Sequence, residues 1–238
     1  MRLLIDAGNS RIKWARVVEK KWVETGMLPV KDVQDFLSAM SDINEIGEIW
    51  VSNVAGDEVA RQISKLGKEK TRFISAKKKE CGVTNNYSET AQLGSDRWAA
   101  LIAAWNKVHR KCLVVNCGTA TTIDALSDNG EFTGGLILPG IILMQSSLIN
   151  ATKNIKSDQG YYAEFPQNTA DALLSGSIQA TCGAIQRQHA LLKSKDVDVI
   201  LSGGSAPVLN KHLELSFRYV EHLVLNGMEL IAEKAGEE

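Results

Sequence analysis

Leu3–Ser10 reads Leu-Leu-Ile-Asp-Ala-Gly-Asn-Ser, and the fold class is inferred from this segment and its repeat. Its apolar run ends at Asp6 and enters a turn of glycine, asparagine and serine. The next stretch, Ile12–Val18, places apolar residues in near alternation, so the whole pattern predicts a β-hairpin. Trp22–Thr25 is the candidate for a third strand of the same sheet.

The same pattern occurs a second time in the chain. Leu113–Ala120 reads Leu-Val-Val-Asn-Cys-Gly-Thr-Ala, at an offset of 110 residues (113 − 3). A later pair of strands also corresponds, because Ile49–Ser52 resembles Val199–Ser202 at an offset of 150 residues (199 − 49). Two matches in the same order indicate a duplicated α/β unit with an insertion in its second copy. We therefore expect two domains, 1–109 and 110–238.

Helical periodicity is clear in several segments between these strands. Asp96–Val108 has the most continuous apolar face, and Asp57 is the expected N-cap of another helix. Gly176 and Gly183 lie at helical spacing in a long segment, where we expect them to permit a close helix contact. The predicted helices are Val33–Met40, Asp57–Leu66, Asp96–Val108 and Thr169–Lys193.

Composition excludes several classes of protein. The chain has 238 residues, of which 44% are hydrophobic and 23% charged, as in globular proteins. Its net charge of −1 creates no positive field for nucleic acid, so we expect no nucleic-acid partner. Four cysteines without a C-x-x-C pair favour a reducing compartment over disulfides or a zinc site. Since no apolar run approaches about 18 residues and Asp6 interrupts the N-terminus early, we expect a cytoplasmic protein without a membrane partner.

The two repeated turns have the chemistry of a nucleotide site. Asp6 and Asn116 end their strands, and ligands of open α/β sheets bind at the carboxyl ends of strands. Glycine lets backbone N–H groups approach phosphate oxygens, Lys13 supplies a positive charge, and a carboxylate can hold Mg²⁺. Each turn alone also fits an ordinary hairpin, but two such turns facing each other across an interdomain cleft favour ATP. Gly203–Gly204 is either an adenine-facing surface or a tight turn.

Leu93–Arg97 lies just before the clearest helix and has two interpretations. Asp96 is either a carboxylate stabilised by the helix dipole or a general base. Arg97 next to it is a candidate clamp for an anion. Spacing alone favours the dipole interpretation of Asp96.

Together these motifs resemble the type III pantothenate kinase family, a member of the sugar kinase, heat-shock chaperone and actin superfamily. The matching motifs occur in the family's order and extend over most of the chain. The combination of G-x-D-R with G-G-x-I-x-P-G is the most specific part. The matching stretches are Asp6–Lys13, Tyr87 with Leu93–Arg97, Gly118–Asp124, Gly134–Gly140, Asn168–Ala172 and Ser202–Ala206.

The resemblance implies an α/β fold of two ribonuclease-H-like, actin-like ATPase domains related by duplication, and a homodimer. It implies phosphorylation of pantothenate by ATP to 4′-phosphopantothenate, the first step of coenzyme A biosynthesis. Asp96 would be the proton acceptor, and Mg²⁺ would be bound through ATP at Asp6. Arg97 would hold either the substrate carboxylate or the transferred group.

The resemblance also implies residue roles, position by position. The residues implied for ATP phosphates are Asp6, Ala7, Gly8, Asn9, Ser10, Arg11, Ile12 and Lys13, with Thr119 contacting the nucleotide. The residues implied for pantothenate are Tyr87, Gly94, Ser95, Asp96 and Arg97, with Thr169 contributed by the partner subunit or from nearby.

This chain departs from the family's pattern at two positions. Ser10 replaces the usual threonine and keeps the hydroxyl. Asn116 replaces the aspartate that coordinates a monovalent cation in many relatives. We therefore expect the K⁺ or NH₄⁺ site at Asn116 to be weak or absent.

Two rival functions belong to other classes. One is a nucleotide-binding accessory regulator of transcription without kinase activity, although binding alone would need neither Asp96 nor Lys13. The other is a phosphatase of the same superfamily that uses water as acceptor, which the pairing of Tyr87 with the G-x-D-R motif disfavours. Dependence of ADP release on pantothenate separates all three.

Overall fold

The computed structural model describes residues 1–40, 45–152, 159–194 and 196–237. The chain divides into two compact units. Unit 1 comprises Met1–His109, Gly130–Phe132 and His222–Glu238, and unit 2 comprises Arg110–Asn129 and Thr133–Glu221. The predicted domain boundaries, 1–109 and 110–238, concern the duplicated domains and stay a prediction.

Unit 1 is built on a five-stranded mixed sheet. The predicted hairpin and third strand are confirmed, since the first three strands run antiparallel along the chain. Two further strands continue the sheet in parallel to the first, in the order β3-β2-β1-β4-β5. The strands are β1 (Arg2–Ala7), β2 (Arg11–Val18), β3 (Lys21–Pro29), β4 (Glu48–Asn53) and β5 (Thr71–Phe73).

Helices and a small hairpin complete unit 1. The helices are α1 (Val33–Ala39), α2 (Asp57–Ser64), α3 (Ser95–Val108) and, from the end of the chain, α7 (Leu223–Ala235). α7 packs on α3, where Gly227 lies directly against the Ala99 carbonyl. The hairpin consists of β6 (Lys79–Glu80) and β7 (Val83–Asn85), and Trp98 of α3 donates to Glu80 at 2.9 Å.

Unit 2 has a sheet of the same design. β8 (Cys112–Cys117) and β9 (Ala120–Leu126) are antiparallel, and the order is β12-β11-β8-β9-β10. β10 (Glu131–Pro139) begins in unit 1, where its first residues pair with β7. β11 (Asp198–Ser202) and β12 (Arg218–Tyr219) are parallel to β8. The helices are α4 (Ile141–Ala151), α5 (Thr169–Leu191) and α6 (Ala206–Leu209).

The two sheets correspond strand by strand, which confirms the predicted duplicated α/β fold. Each has an antiparallel three-strand meander followed by two parallel strands. In each, helices connect the third strand to the fourth, which pairs with the first. The register agrees as well, because Asp6 lies opposite Ser52 and Asn116 lies opposite Ser202. The two repeats seen in the sequence therefore mark equivalent strand ends.

One local expectation is wrong, and a second finds no contact within the described chain. α2 begins at Asp57, but Gly56 occupies the N-cap with φ 95° and no side chain caps the helix. A positive φ of this size suits glycine, so the backbone turn rather than Asp57 sets the helix start. A methyl group added at Gly176 or Gly183 would meet no described atom within 4 Å, so the expected close helix contact is absent from the described chain.

Among the helices of the described residues, none has both the length and the apolar content needed to cross a bilayer. The four cysteines are all free thiols. Burial raises the pKa of Cys112 and of Cys117 to about 12, which keeps both protonated and unreactive at neutral pH.

Candidate active site

The turn between β1 and β2 presents a buried carboxylate beneath an exposed loop. Asp6 is only 9% exposed, whereas Asn9 and Arg11 in the turn are exposed. The Gly8 N–H donates to the Arg11 carbonyl at 3.0 Å and closes the turn. Lys13 lies opposite Asp6 in the β1–β2 register.

The charged form of the Asp6 carboxylate is unfavourable at this site unless a cation or a proton neutralises it. Burial raises its pKa to about 7, the neighbouring charge of Asp96 adds to the rise, and Lys13 opposes it. Its Oδ1 atom is buried and has no hydrogen-bond partner among the described residues. A buried polar atom without a partner is costly, so this oxygen is a natural ligand position for a bound ion.

Asp96 lies in the first turn of α3, where the backbone of the helix N-terminus surrounds it. Its Oδ1 accepts the Arg97 N–H at 2.8 Å. Burial raises the pKa of Asp96, and this N–H and the Arg97 charge oppose the rise. Gly94 just before the helix leaves room for the carboxylate, because an added Cβ would lie 2.6 Å from Asp96 Oδ1. The geometry therefore includes a helix-terminal contact, while burial makes the carboxylate more basic than usual.

Arg97 points into an aromatic cage within unit 1. Its Nη1 donates to the Tyr87 hydroxyl at 2.8 Å. The guanidinium carbon lies 5.6 Å from the centroid of the Tyr87 ring and 5.7 Å from that of Phe132. Asn85 accepts the Tyr87 N–H at 3.0 Å and holds this loop. The cage fixes a largely buried cation beside Asp96, which is a suitable arrangement for an anionic ligand.

Three residues near these groups were missed by sequence reasoning. Ser52 is the second-to-last residue of β4, and its Oγ lies 3.0 Å from the Oγ of Ser95. Ser52 ends one of the repeated strand matches, and that position was the available signal. Phe132 had no such signal, since it comes near Arg97 through the pairing of β10 with β7. Asn85 contacts Tyr87 locally, two residues along the chain, and its position before Tyr87 was the available signal.

Unit 2 brings together three glycine turns, which contain Gly118, Gly140 and Gly203. The Gly118 N–H donates to the Ala120 carbonyl at 3.0 Å, and the Thr119 carbonyl accepts the Gly140 N–H at 2.8 Å. Gly203, with φ 97°, lies so close to the Cys117 backbone that any Cβ would overlap it. Thr119 therefore belongs to a tight assembly of three turns, and Asn116 is the second-to-last residue of β8 beside it.

Thr169 is the first residue of α5 and does not belong to this assembly of turns. Asn168 caps the helix by accepting the Asp171 N–H at 2.9 Å. Thr169 lines a groove of about 480 Å³ between α4 and α5, together with Met144, Leu148 and Gly176. Within the described ranges, no group of three or more His, Cys, Asp or Glu residues could hold a metal ion by itself.

Solved structures with this fold include kinases. A putative Baf family transcriptional activator from Campylobacter jejuni has 23% identity and a TM-score of 0.66, with 99% of this chain and 100% of that chain covered. A putative 2-dehydro-3-deoxygalactonokinase from Sinorhizobium meliloti has 13% identity and a TM-score of 0.59, with 99% of each chain covered. These likenesses concern the fold alone, and they agree with the predicted α/β fold.

Sequence relatives are closer. A type III pantothenate kinase from Nitrosospira multiformis is 42% identical over 99% of this chain and 92% of its own length. Another from Aromatoleum aromaticum is 40% identical over 98% of both chains. The family model for type III pantothenate kinase matches residues 2–190. With these matches along almost its whole length, the chain belongs to the type III pantothenate kinase family.

Proposed function

We propose that this protein transfers the γ-phosphoryl group of ATP to the primary hydroxyl of pantothenate and forms 4′-phosphopantothenate, the first step of coenzyme A biosynthesis. The observation that carries the proposal is the buried carboxylate of Asp6 and the half-buried carboxylate of Asp96, beside the caged guanidinium of Arg97. Family membership supplies the substrates that this arrangement suits.

Asp96 is the proposed general base. Phosphoryl transfer depends mainly on positioning and electrostatics, but the attacking hydroxyl must lose its proton. Burial raises the pKa of Asp96, and a higher pKa makes the carboxylate a better proton acceptor. Its contact with the Arg97 N–H fixes the direction of the carboxylate.

Pantothenate binding is assigned to the loop and helix start around Arg97. Pantothenate carries a carboxylate, and the guanidinium of Arg97 is held by Tyr87 in a fixed orientation. The planar guanidinium of arginine can donate two parallel hydrogen bonds to a carboxylate, which the ammonium group of a lysine cannot do. Gly94 and Ser95 would offer backbone groups to the same ligand.

Mg·ATP binding is assigned to the first turn. Asp6 would hold Mg²⁺, which neutralises phosphate charge when bound, and its unpartnered Oδ1 supports this assignment. The backbone N–H groups of the exposed turn, the Ser10 hydroxyl and Lys13 would face phosphate oxygens. Thr119 in unit 2 is the further proposed nucleotide contact, and Asn116 is a degenerate position for K⁺ or NH₄⁺.

A second copy of this chain is the proposed partner. α4 exposes Ile142 (73%) and Leu148 (49%), and the apolar groove beside them is lined by Thr169 of α5. Open space over Gly176 would admit a neighbouring helix. The dimer would let the partner subunit's Thr169 contact pantothenate. Light scattering should give the mass of a dimer for the native chain and of a monomer for Leu148→Glu, and a native monomer at all concentrations would contradict the assignment.

The function is tested by ADP release with and without pantothenate. Strict dependence on pantothenate supports the kinase. ATP turnover without an acceptor would indicate a phosphatase, and binding of ATP without turnover would indicate a regulator. We also propose a cytoplasmic location, in keeping with four free thiols.

A further inference from the structure

The carboxyl end of β4 and the start of α3 are joined by a buried pair of hydroxyl groups. Ser52 is fully buried, Ser95 is 7% exposed, and their Oγ atoms lie 3.0 Å apart. Ser95 is the first residue of α3 and immediately precedes Asp96. Ser52 lies opposite Asp6 in the parallel register of β1 and β4. The hydroxyl pair thus links β4, which pairs with the strand of Asp6, to Ser95, which immediately precedes Asp96.

The start of α3 is anchored by Arg97 and Trp98, but it has no capping side chain. Gly94 is the N-cap, and no side chain caps the helix from that position. Capping side chains normally accept the free N–H groups of a first helical turn. Here Asp96 accepts the Arg97 N–H instead, so the carboxylate is tied to the helix but not to the sheet. The Ser52–Ser95 hydrogen bond provides that connection.

We propose that Ser52 is a positioning residue, which holds Asp96 in register with Asp6 through its hydrogen bond to Ser95. The proposal rests on the proposed function, because its effect is exerted on proton transfer by Asp96. Loss of the Ser52 hydroxyl leaves the buried Ser95 hydroxyl without this partner and removes a link between β4 and the residue before Asp96. Small displacements of a reacting group lower the rate of the chemical step strongly, whereas distant ligand contacts are unaffected.

The test compares steady-state kinetics of Ser52→Ala with a matched control. Ser64→Ala also removes a serine hydroxyl from unit 1, but that hydroxyl only bonds the Ala60 carbonyl within α2. We expect Ser52→Ala to lower kcat about ten-fold with the KM for ATP within about two-fold, and Ser64→Ala to leave both unchanged. Ser52→Cys, which keeps the size and a weak donor, should recover part of kcat.

A double-mutant comparison separates positioning from a general loss of structure. In an Asp96→Asn background, Ser52→Ala should cause no further loss of kcat, because the base that it positions is already absent. An equal loss in both backgrounds, or an unchanged kcat for Ser52→Ala in a native enzyme that phosphorylates pantothenate, would overturn the role of Ser52 alone. A wild type without pantothenate-dependent ADP release would overturn the proposed function and this inference together. Calorimetric ATP binding by each variant reports its folded fraction.

Discussion

At the scale of single residues, Asp6 should make the free energy of unfolding depend on pH. Its folded-state pKa of about 7 lies above the ordinary value of 3.8, so the folded protein retains a proton that the unfolded chain loses. This contribution is fully present below the unfolded pKa and is lost as the pH rises through about 7. The free energy of unfolding of the ligand-free protein should therefore fall between these pH values, and less so in Asp6→Asn.

Urea unfolding across this pH range measures the difference. The exposed Asp57 provides a control, since Asp57→Asn should follow the wild-type profile. Parallel profiles for wild type and Asp6→Asn would contradict the electrostatic description of Asp6. The same proton must leave when Mg²⁺ binds, so Mg·ATP affinity should rise with pH in the wild type and remain flatter in Asp6→Asn.

Asn116 makes a prediction about monovalent cations. An amide oxygen can bind K⁺, but it lacks the full charge of the carboxylate in relatives. Activity in Na⁺ should therefore be within a few-fold of activity in K⁺, and Asn116→Asp should create or strengthen K⁺ activation. Assays over K⁺ concentrations at fixed ionic strength check this. A saturable activation of the wild type by about ten-fold, or about 1.4 kcal/mol, would contradict it.

The position of a residue at a strand end could be predicted wherever the strand itself could be recognised in the sequence. Asp6 and Asn116 follow apolar runs, so their positions at sheet edges follow from the chain alone. Ser52 and Phe132 were not identified, because their neighbours Ser95 and Arg97 come from other parts of the chain. Such contacts depend on sheet order and helix packing, which local patterns do not encode.

At the scale of elements, the contact between α3 and α7 should be intolerant of added volume. A Cβ at Gly227 would overlap the Ala99 carbonyl, so Gly227→Ala should destabilise the protein by about 1–3 kcal/mol. Gly183 in α5 is the matched helical control with open space around it, and Gly183→Ala should be neutral or stabilise by up to about 1 kcal/mol. Urea unfolding of both variants measures the pair, and equal effects would contradict the packing of α7.

Elements with long periodic patterns were predicted, and short ones were not. α3 has an apolar face that needs no tertiary context to recognise. β6 and β7 contain only two and three residues and exist as strands because each pairs with the other and β7 pairs with β10. The start of α2 was misjudged because the φ of Gly56, and not an acidic side chain, determines it.

At the scale of the whole molecule, the duplication was visible in the sequence while the composition of the compact units was not. Asp6 opposite Ser52 and Asn116 opposite Ser202 reproduce the two repeat matches as equivalent register positions. The return of α7 to unit 1 had no local signal, since an apolar helix face does not specify its partner. Its packing is decided by the complementary surface of α3, where Gly227 permits close approach.

The central claim is that Asp96 accepts a proton from pantothenate during phosphoryl transfer from ATP. ³¹P NMR of ATP, Mg²⁺, pantothenate and enzyme measures it directly, because a phosphomonoester and ADP should appear in equal amounts. Asp96→Asn should form both about 10²–10⁴-fold more slowly while calorimetry still detects ATP binding. A phosphomonoester formed at the wild-type rate by Asp96→Asn, or ADP with inorganic phosphate and no phosphopantothenate from the wild type, would contradict the account.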